Sequence, residues 1–309
     1  MTSQPAASTK KTVHLIPADA AIKRLCFDEA MQSLRPNLVL VDRQGAVVFE
    51  INELGLKGAG RDRSRKLAVV WGDSVVFGVR WSWPCLIDEF APGYQFLNGG
   101  IEGDPYTNIL RRAAEFNRAH LVSLNILLPG WHPWRLPQTL AERNTRVGGQ
   151  LARLGRALGL SREANAAAAP DANPPSVHSQ LRADLLEFLA ETPNTVLVTM
   201  PTALNRNIVD RDLSSCFSGG GRDTAFYFAG DLPYSVAAQQ HMFAHISERN
   251  AILREAARDS GAQLVDLAAV FDTTAVADFR EDFFDMLHLR PRAYPKAAAA
   301  VYDRIKDLL

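Results

Sequence analysis

Short apolar runs alternate with stretches of helical periodicity along most of the chain. Five runs predict β-strands, at residues 67–71, 94–97, 120–128, 195–200 and 263–267. Helical patterns cover residues 82–90, 107–118, 178–191, 236–259 and 293–308. Several of the strand runs are continuously apolar, as expected for strands that are buried on both faces. The alternation therefore predicts an α/β fold with a mostly parallel central sheet and helices on both sides.

The chain divides into three parts by its residue pattern. Residues 1–10 are polar and predict a disordered tail. Residues 11–65 predict an N-terminal lead segment with short strands at 37–41 and 46–50, joined by a turn that ends in glycine. The alternating pattern fills residues 66–309, which we interpret as the main domain.

Two segments of the main domain interrupt the alternation. Residues 129–177 are rich in Pro, Gly and Ala and predict an insertion, while residues 201–234 are rich in Asn, Ser, Gly and Asp and predict a long loop region. Both follow strands, so both leave the sheet at its carboxyl edge, where open α/β sheets bind ligands. They are either loops that shape a substrate site or variable surface loops.

Composition limits the function classes only weakly. Among 309 residues, Lys plus Arg (34) equals Asp plus Glu (34), which gives a net charge of zero. Such a balance offers no electrostatic footprint for nucleic acid or an anionic membrane and favours a small or neutral substrate. No apolar stretch reaches transmembrane length and no signal-peptide core is evident, which predicts a cytoplasmic protein without membrane insertion. The oligomeric state is left open.

Ser74 is the first candidate for chemistry. It follows Gly72 and Asp73 at the end of the first main-domain strand, where a serine would be exposed above the sheet. Gly72 permits a close backbone approach to a substrate. The motif is not the Gly-x-Ser-x-Gly elbow, because Val76 occupies the second glycine position. By itself it is also a common turn sequence.

A second pair of candidates lies near the C-terminus. Asp285 and His288 are three residues apart, a spacing that places them on one side of a turn. The carboxylate is then able to accept the Nδ1 proton of His288 and leave Nε2 free to take a proton from Ser74. The pair follows the last strand and precedes the closing helix, so the chain order becomes Ser, Asp, His.

A glycine-rich loop after the second strand supplies the third element. Residues 98–104 contain three glycines, and a loop of this kind is able to turn a backbone N–H toward a reacting carbonyl. The N–H of Gly103, together with that of Ser74, is predicted to form an oxyanion hole.

Taken together, these motifs resemble the SGNH (GDSL-type) serine hydrolase superfamily. The resemblance covers roughly residues 67–309, and residues 51–58 are similar to the stretch that precedes the nucleophile strand in many such proteins. It implies a flavodoxin-like three-layer α/β/α sandwich and hydrolysis of an acyl ester, such as a short acyl group on a carbohydrate or small molecule. It also implies that Ser74 is the nucleophile, His288 the base, Asp285 its orienting carboxylate and Gly103 an oxyanion donor.

One family element departs from the pattern. An Asn at the end of the middle strand normally completes the oxyanion hole, but counting from the strand start places Leu127 at that position. Three interpretations stay open. In the first, Asn125 is the third oxyanion donor because the strand end is shifted. In the second, Trp131 or His132 is that donor. In the third, the oxyanion hole has only two donors, both of them backbone N–H groups.

Cofactors are not expected. The three cysteines, Cys26, Cys85 and Cys216, have neither disulfide nor zinc spacing. His241 and His245 are four residues apart on a predicted helix, yet no acidic residue completes a metal-binding motif, so no metal is predicted.

Two alternative functions stay open. One is an O-acyltransferase that uses the same residues, and the other is a non-catalytic binding protein on the same fold.

Overall fold

The structure is a computed structural model that describes residues 11–14, 26–28, 30–42, 44–78, 82–130, 176–211 and 236–309. The strands are β1 (Lys11–His14), β2 (Phe27–Asp28), β3 (Ser33–Leu34), β4 (Leu38–Val41), β5 (Val47–Ile51), β6 (Lys66–Trp71), β7 (Tyr94–Asn98), β8 (Leu124–Leu127), β9 (Thr195–Val198) and β10 (Gln263–Val265). The helices are α1 (Ser74–Phe77), α2 (Tyr106–Ala119), α3 (Ser176–Glu191), α4 (Val236–Ser260), α5 (Leu267–Val270) and α6 (Tyr294–Ile305).

The central sheet has five parallel strands in the order β10-β9-β8-β6-β7. Numbered from β6, this is the flavodoxin-like order 2-1-3-4-5. The chain first adds β7 on one side of β6 and then β8 on the other, so the strand order reverses at β6. This topology confirms the predicted fold class and makes the carboxyl end of β6 the switch point at which such sheets bind ligands.

Both faces of the sheet are buried, which explains why several of its strands are largely apolar. Along β6, Ala68 and Val70 pack into one core with residues of α6, including Ala297 and Val301. Leu67, Val69 and Trp71 point the other way, into a second core with α2 and α3. The result is the predicted three-layer α/β/α sandwich.

The residues before β6 form a smaller sheet of β1, β4 and β5. β4 and β5, the two strands predicted around a turn, pair antiparallel, and β1 pairs parallel to β4. Phe49 and Ile51 of β5 share a core with Phe77 and Ile101. The lead segment therefore packs directly beneath the loops that follow β6 and β7.

Most predicted elements are present with modest changes of boundary. The helix predicted at 82–90 is a 3-10 helix over Pro84–Glu89, and the long run at 120–128 contains only the four-residue β8. Most of the predicted insertion, and of the loop region beyond residue 211, lies outside the described residues. Within the part of the chain that the structure describes, no helix is both long and apolar enough to cross a membrane. A cytoplasmic location stays a prediction.

Candidate active site

The chain turns sharply from β6 into α1, and Ser74 is the first residue of this single helical turn. Asp73 caps the turn, because its carboxylate accepts a hydrogen bond of 3.0 Å from the N–H of Val75. A Cβ on Gly72 would lie 2.9 Å from the carbonyl oxygen of Leu128, so only glycine fits there. These local features bring Ser74 to the carboxyl edge of the sheet.

Ser74, His288 and Asp285 form a continuous chain of hydrogen bonds. The Nε2 atom of His288 lies 2.8 Å from Ser74 Oγ, and its Nδ1 atom lies 2.8 Å from Asp285 Oδ2. A carboxylate only accepts, so Nδ1 carries the imidazole proton and Nε2 is left to accept the hydroxyl proton of Ser74. This is the geometry of an activated hydroxyl nucleophile.

The loop that carries Asp285 and His288 holds itself in shape. Asp285 Oδ1 accepts hydrogen bonds of 2.8 Å from the backbone N–H groups of Leu287 and His288. The N–H of Phe284 donates to the carbonyl of His288 at 2.8 Å. The carboxylate is therefore anchored by the same turn that presents the imidazole, as the spacing of three predicts.

The glycine-rich loop after β7 lies directly beside the Ser74 turn. The N–H of Ile101 donates to the carbonyl of Gly72 at 3.0 Å, and Gly103 has a left-handed φ of +63°. A buried ion pair holds the end of this loop, since Arg112 Nη2 binds Asp104 Oδ2 at 2.7 Å. Arg112 also donates to the carbonyl of Gly99 at 2.8 Å.

The predicted oxyanion donors are two backbone N–H groups, those of Ser74 and Gly103. Among the described residues, none accepts a hydrogen bond from the backbone N–H of Ser74 or Gly103. Donors of this kind stabilise negative charge that develops on a carbonyl oxygen.

The structure does not place Asn125 at Ser74. Asn125 lies in the second position of β8 and is fully buried. Its Oδ1 accepts a hydrogen bond of 2.9 Å from Trp71 Nε1, and its Nδ2 lies 3.3 Å from Asn117 Oδ1. The amide thus contacts β6 and α2 inside the core, and the structure does not support the expectation that Asn125 is an oxyanion donor.

The other two candidates for the third donor, Trp131 and His132, lie outside the described residues. The described part of the loop after β8 ends at Gly130, whose φ is +68°. The buried Arg249 of α4 holds this loop by donating to the carbonyl of Gly130 at 3.0 Å. The third donor remains a prediction.

The electrostatics of the site act on His288. Burial disfavours the charged imidazolium, but the Asp285 carboxylate opposes burial by its charge and its hydrogen bond, and Asp73 and Glu102 add to its effect. The pKa of His288 is raised as a result above its ordinary value of 6.5. Among the described residues, no group of three or more His, Cys, Asp or Glu side chains is arranged to hold a metal ion.

Sequence reasoning missed the buried cations around the site. Lys57, Arg112 and Arg249 are each buried, and each donates to a backbone carbonyl of a different loop at the carboxyl edge. Only Lys57 had a sequence signal, because it lies in the stretch at 51–58 that resembles the family. Arg112 and Arg249 are ordinary-looking charges within helical patterns.

Fold and site together define an α/β protein with a buried Ser–His–Asp chain of hydrogen bonds at the switch point of a parallel sheet. No family model matches the chain, and no curated protein matches it. Several solved structures are similar to this chain. One is a lipase/acylhydrolase from Enterococcus faecalis, at 15% identity and a TM-score of 0.48 over 78% of this chain and 96% of that one.

A member of the lipolytic G-D-S-L family from Veillonella parvula is 10% identical, with a TM-score of 0.46 over 78% of this chain and 98% of that one. A catalytic mutant of an acetylxylan esterase from Geobacillus stearothermophilus is 14% identical, with a TM-score of 0.46 over 78% and 94% of the two chains.

Proposed function

We propose that the protein is a serine esterase that hydrolyses an acyl ester through a covalent acyl-enzyme. The single observation that supports this proposal best is the hydrogen-bonded chain from Ser74 through His288 to Asp285. The distance is 2.8 Å both from Ser74 Oγ to His288 Nε2 and from His288 Nδ1 to Asp285 Oδ2. A hydroxyl paired with an imidazole whose other nitrogen binds a carboxylate is suited to nucleophilic attack.

In the first step, Ser74 Oγ attacks the ester carbonyl while His288 Nε2 takes the hydroxyl proton. The backbone N–H groups of Ser74 and Gly103 stabilise the oxyanion of the tetrahedral intermediate. The intermediate collapses, the bond to the alcohol breaks, and His288 gives its proton to the departing alcohol oxygen. Asp285 keeps the imidazole in the required tautomer and stabilises its charged form.

In the second step, water attacks the acyl-enzyme and gives its proton to His288. The acid leaves, and Ser74 regains its proton. The proposed substrates are esters of short acyl groups, including O-acetyl groups on a carbohydrate or small molecule. A hydroxyl acceptor in place of water would make the same residues an acyltransferase, and transfer to added sugars distinguishes that outcome.

A fluorophosphonate probe tests the proposal directly. The folded protein is expected to form one covalent adduct, located on Ser74 by peptide mass spectrometry, and to hydrolyse short-chain nitrophenyl esters. The urea-unfolded protein serves as the control, because labelling must depend on the folded site and not on serine content. A folded protein that neither reacts with the probe nor turns over esters would instead support the non-catalytic binding function.

The pH dependence of kcat/KM reports on His288. Only the neutral imidazole accepts a proton, so kcat/KM for an uncharged ester is expected to fall about tenfold per pH unit on the acid side of the His288 pKa. Because that pKa is raised, the midpoint should lie above 6.5. Initial rates across a pH series at low substrate concentration measure it. A midpoint below 6.5 would contradict the effect assigned to Asp285.

A further inference from the structure

Lys57 is a buried lysine that binds the end of the helical turn that begins at Ser74. Its side chain is almost fully buried, and its Nζ atom donates hydrogen bonds of 2.7 Å to the carbonyl oxygens of Phe77 and Gly78. Carbonyls at the end of a helix have no partner within the helix and need an external donor. Lys57 therefore caps the turn that carries the candidate nucleophile.

The backbone of Lys57 is attached to the sheet at the same point. Its N–H donates to the carbonyl of Asn98 at 2.8 Å, and the N–H of Asn98 donates back at 3.1 Å. The Asn98 side chain adds hydrogen bonds to the carbonyls of Val76, at 2.8 Å, and Phe77, at 3.1 Å. Lys57 and Asn98 together thus connect three successive carbonyls of the α1 turn to β7.

The apolar surroundings of Lys57 disfavour its charged ammonium group in the folded protein. The rings of Phe49 and Phe77 each lie 4.8 Å from Nζ, and the neighbouring titratable groups are the thiols of Cys85 and Cys26. Burial lowers the pKa of Lys57 to about 7. A well-packed apolar residue is often as stabilising as a buried ionic group or more so, so stability alone does not account for a lysine here.

We propose that Lys57 is a positioning residue for Ser74. By binding the carbonyls of Phe77 and Gly78, it holds the α1 turn so that Ser74 Oγ stays within hydrogen-bond distance of His288 Nε2. Lys57 acts through the peptide chain of the turn. This inference rests on the proposed function of Ser74 as a nucleophile. A displacement of about 1 Å at a reacting group lowers turnover by up to about 10²-fold.

The kinetic test compares Lys57→Met with Lys57→Arg. Methionine is similarly unbranched and has no N–H donor, whereas arginine keeps the charge and the donors. Titration with the fluorophosphonate probe counts the reactive sites, so kcat is expressed per active site and misfolded protein is not counted. We expect Lys57→Met to lose at least about tenfold in kcat with less than about a threefold change in KM, and Lys57→Arg to recover part of the loss.

The matched control is Lys66→Met, at the opposite end of β6, where Nζ lies 3.3 Å from the Tyr94 hydroxyl. This variant should keep the kcat of the unmodified protein. A merely structural lysine would lower the melting temperature and the fraction of active sites, but not kcat per site. A Lys57→Met variant whose kcat per site matches that of Lys66→Met would overturn the proposal.

Hydrogen exchange tests Lys57 without any turnover. The α1 turn is closed by hydrogen bonds from the N–H of Phe77 to the Asp73 carbonyl, at 2.9 Å, and from the N–H of Gly78 to the Ser74 carbonyl, at 3.1 Å. Both amides should exchange at least about tenfold faster in Lys57→Met, while the amides of β8 keep their rates.

The two measurements separate the two proposals. If the protein neither labels nor hydrolyses esters, the esterase function fails, and amide exchange alone decides the role of Lys57. Unchanged exchange at Phe77 and Gly78 in Lys57→Met would overturn the positioning role even in a fully active enzyme.

Discussion

Replacing Ser74 with alanine is expected to lower kcat for ester hydrolysis by about 10⁶-fold and to abolish labelling by the fluorophosphonate probe. The reason is that Ser74 Oγ is the hydroxyl oxygen that lies 2.8 Å from His288 Nε2. Without the oxygen nucleophile, no acyl-enzyme forms. The proposed backbone donors at Ser74 and Gly103 are retained in this variant, so KM should change much less than kcat.

The control for this variant is Ser64→Ala. Ser64 is exposed and its hydroxyl donates to the Asp62 carboxylate at 2.6 Å, which makes it a serine outside the site. Steady-state kinetics with nitrophenyl esters, together with thermal unfolding to verify the fold, provide the measurement. If Ser74→Ala kept activity within tenfold of Ser64→Ala, Ser74 would not be the nucleophile.

Replacing Asp285 with asparagine is expected to have the second largest effect, a loss of about 10⁴-fold in kcat near neutral pH. The amide oxygen is able to replace Oδ1 and keep the hydrogen bonds from the N–H groups of Leu287 and His288. The amide nitrogen then faces His288 Nδ1 and donates to it. The imidazole is thereby held in the wrong tautomer, with its proton on Nε2, and cannot accept the Ser74 proton.

Asp282→Asn is the matched control, because Asp282 lies in the same segment but its carboxylate forms a surface ion pair of 3.4 Å with Lys296. The Asp285→Asn variant should also show a lower His288 pKa, since the carboxylate is what raises it against burial. Proton NMR of the imidazole across a pH series measures that shift. Equal kinetics in the two variants would remove Asp285 from the mechanism.

The architecture and the Ser–His–Asp arrangement were predictable because they depend on local patterns and on a general rule of topology. Apolar runs show which segments become buried strands, and parallel strands bring the loops at their carboxyl ends to one edge. Gly72, Ser74 and Gly103 all lie in such loops. The spacing of Asp285 and His288 is a property of one short turn, and the structure preserves it.

Asn125 shows where this reasoning fails. The sequence contains an asparagine near the end of a predicted strand, but only the strand register shows which face its side chain occupies. Pairing with β6 places Asn125 beside Val69, and its partner Trp71 is 54 residues away in the chain. A side chain two residues earlier in a strand also lies about 7 Å further from the carboxyl edge.

The amino-acid sequence alone therefore determined the order of strands and helices, the edge at which the candidate site forms, and the candidates for nucleophile, base and carboxylate. Only the tertiary structure decided which side chains hold that site. Lys57 binds carbonyls 20 and 21 residues away, and Arg249 binds one 119 residues away. Backbone carbonyls are the same in every residue, so no sequence pattern marks them as partners until the chain has folded.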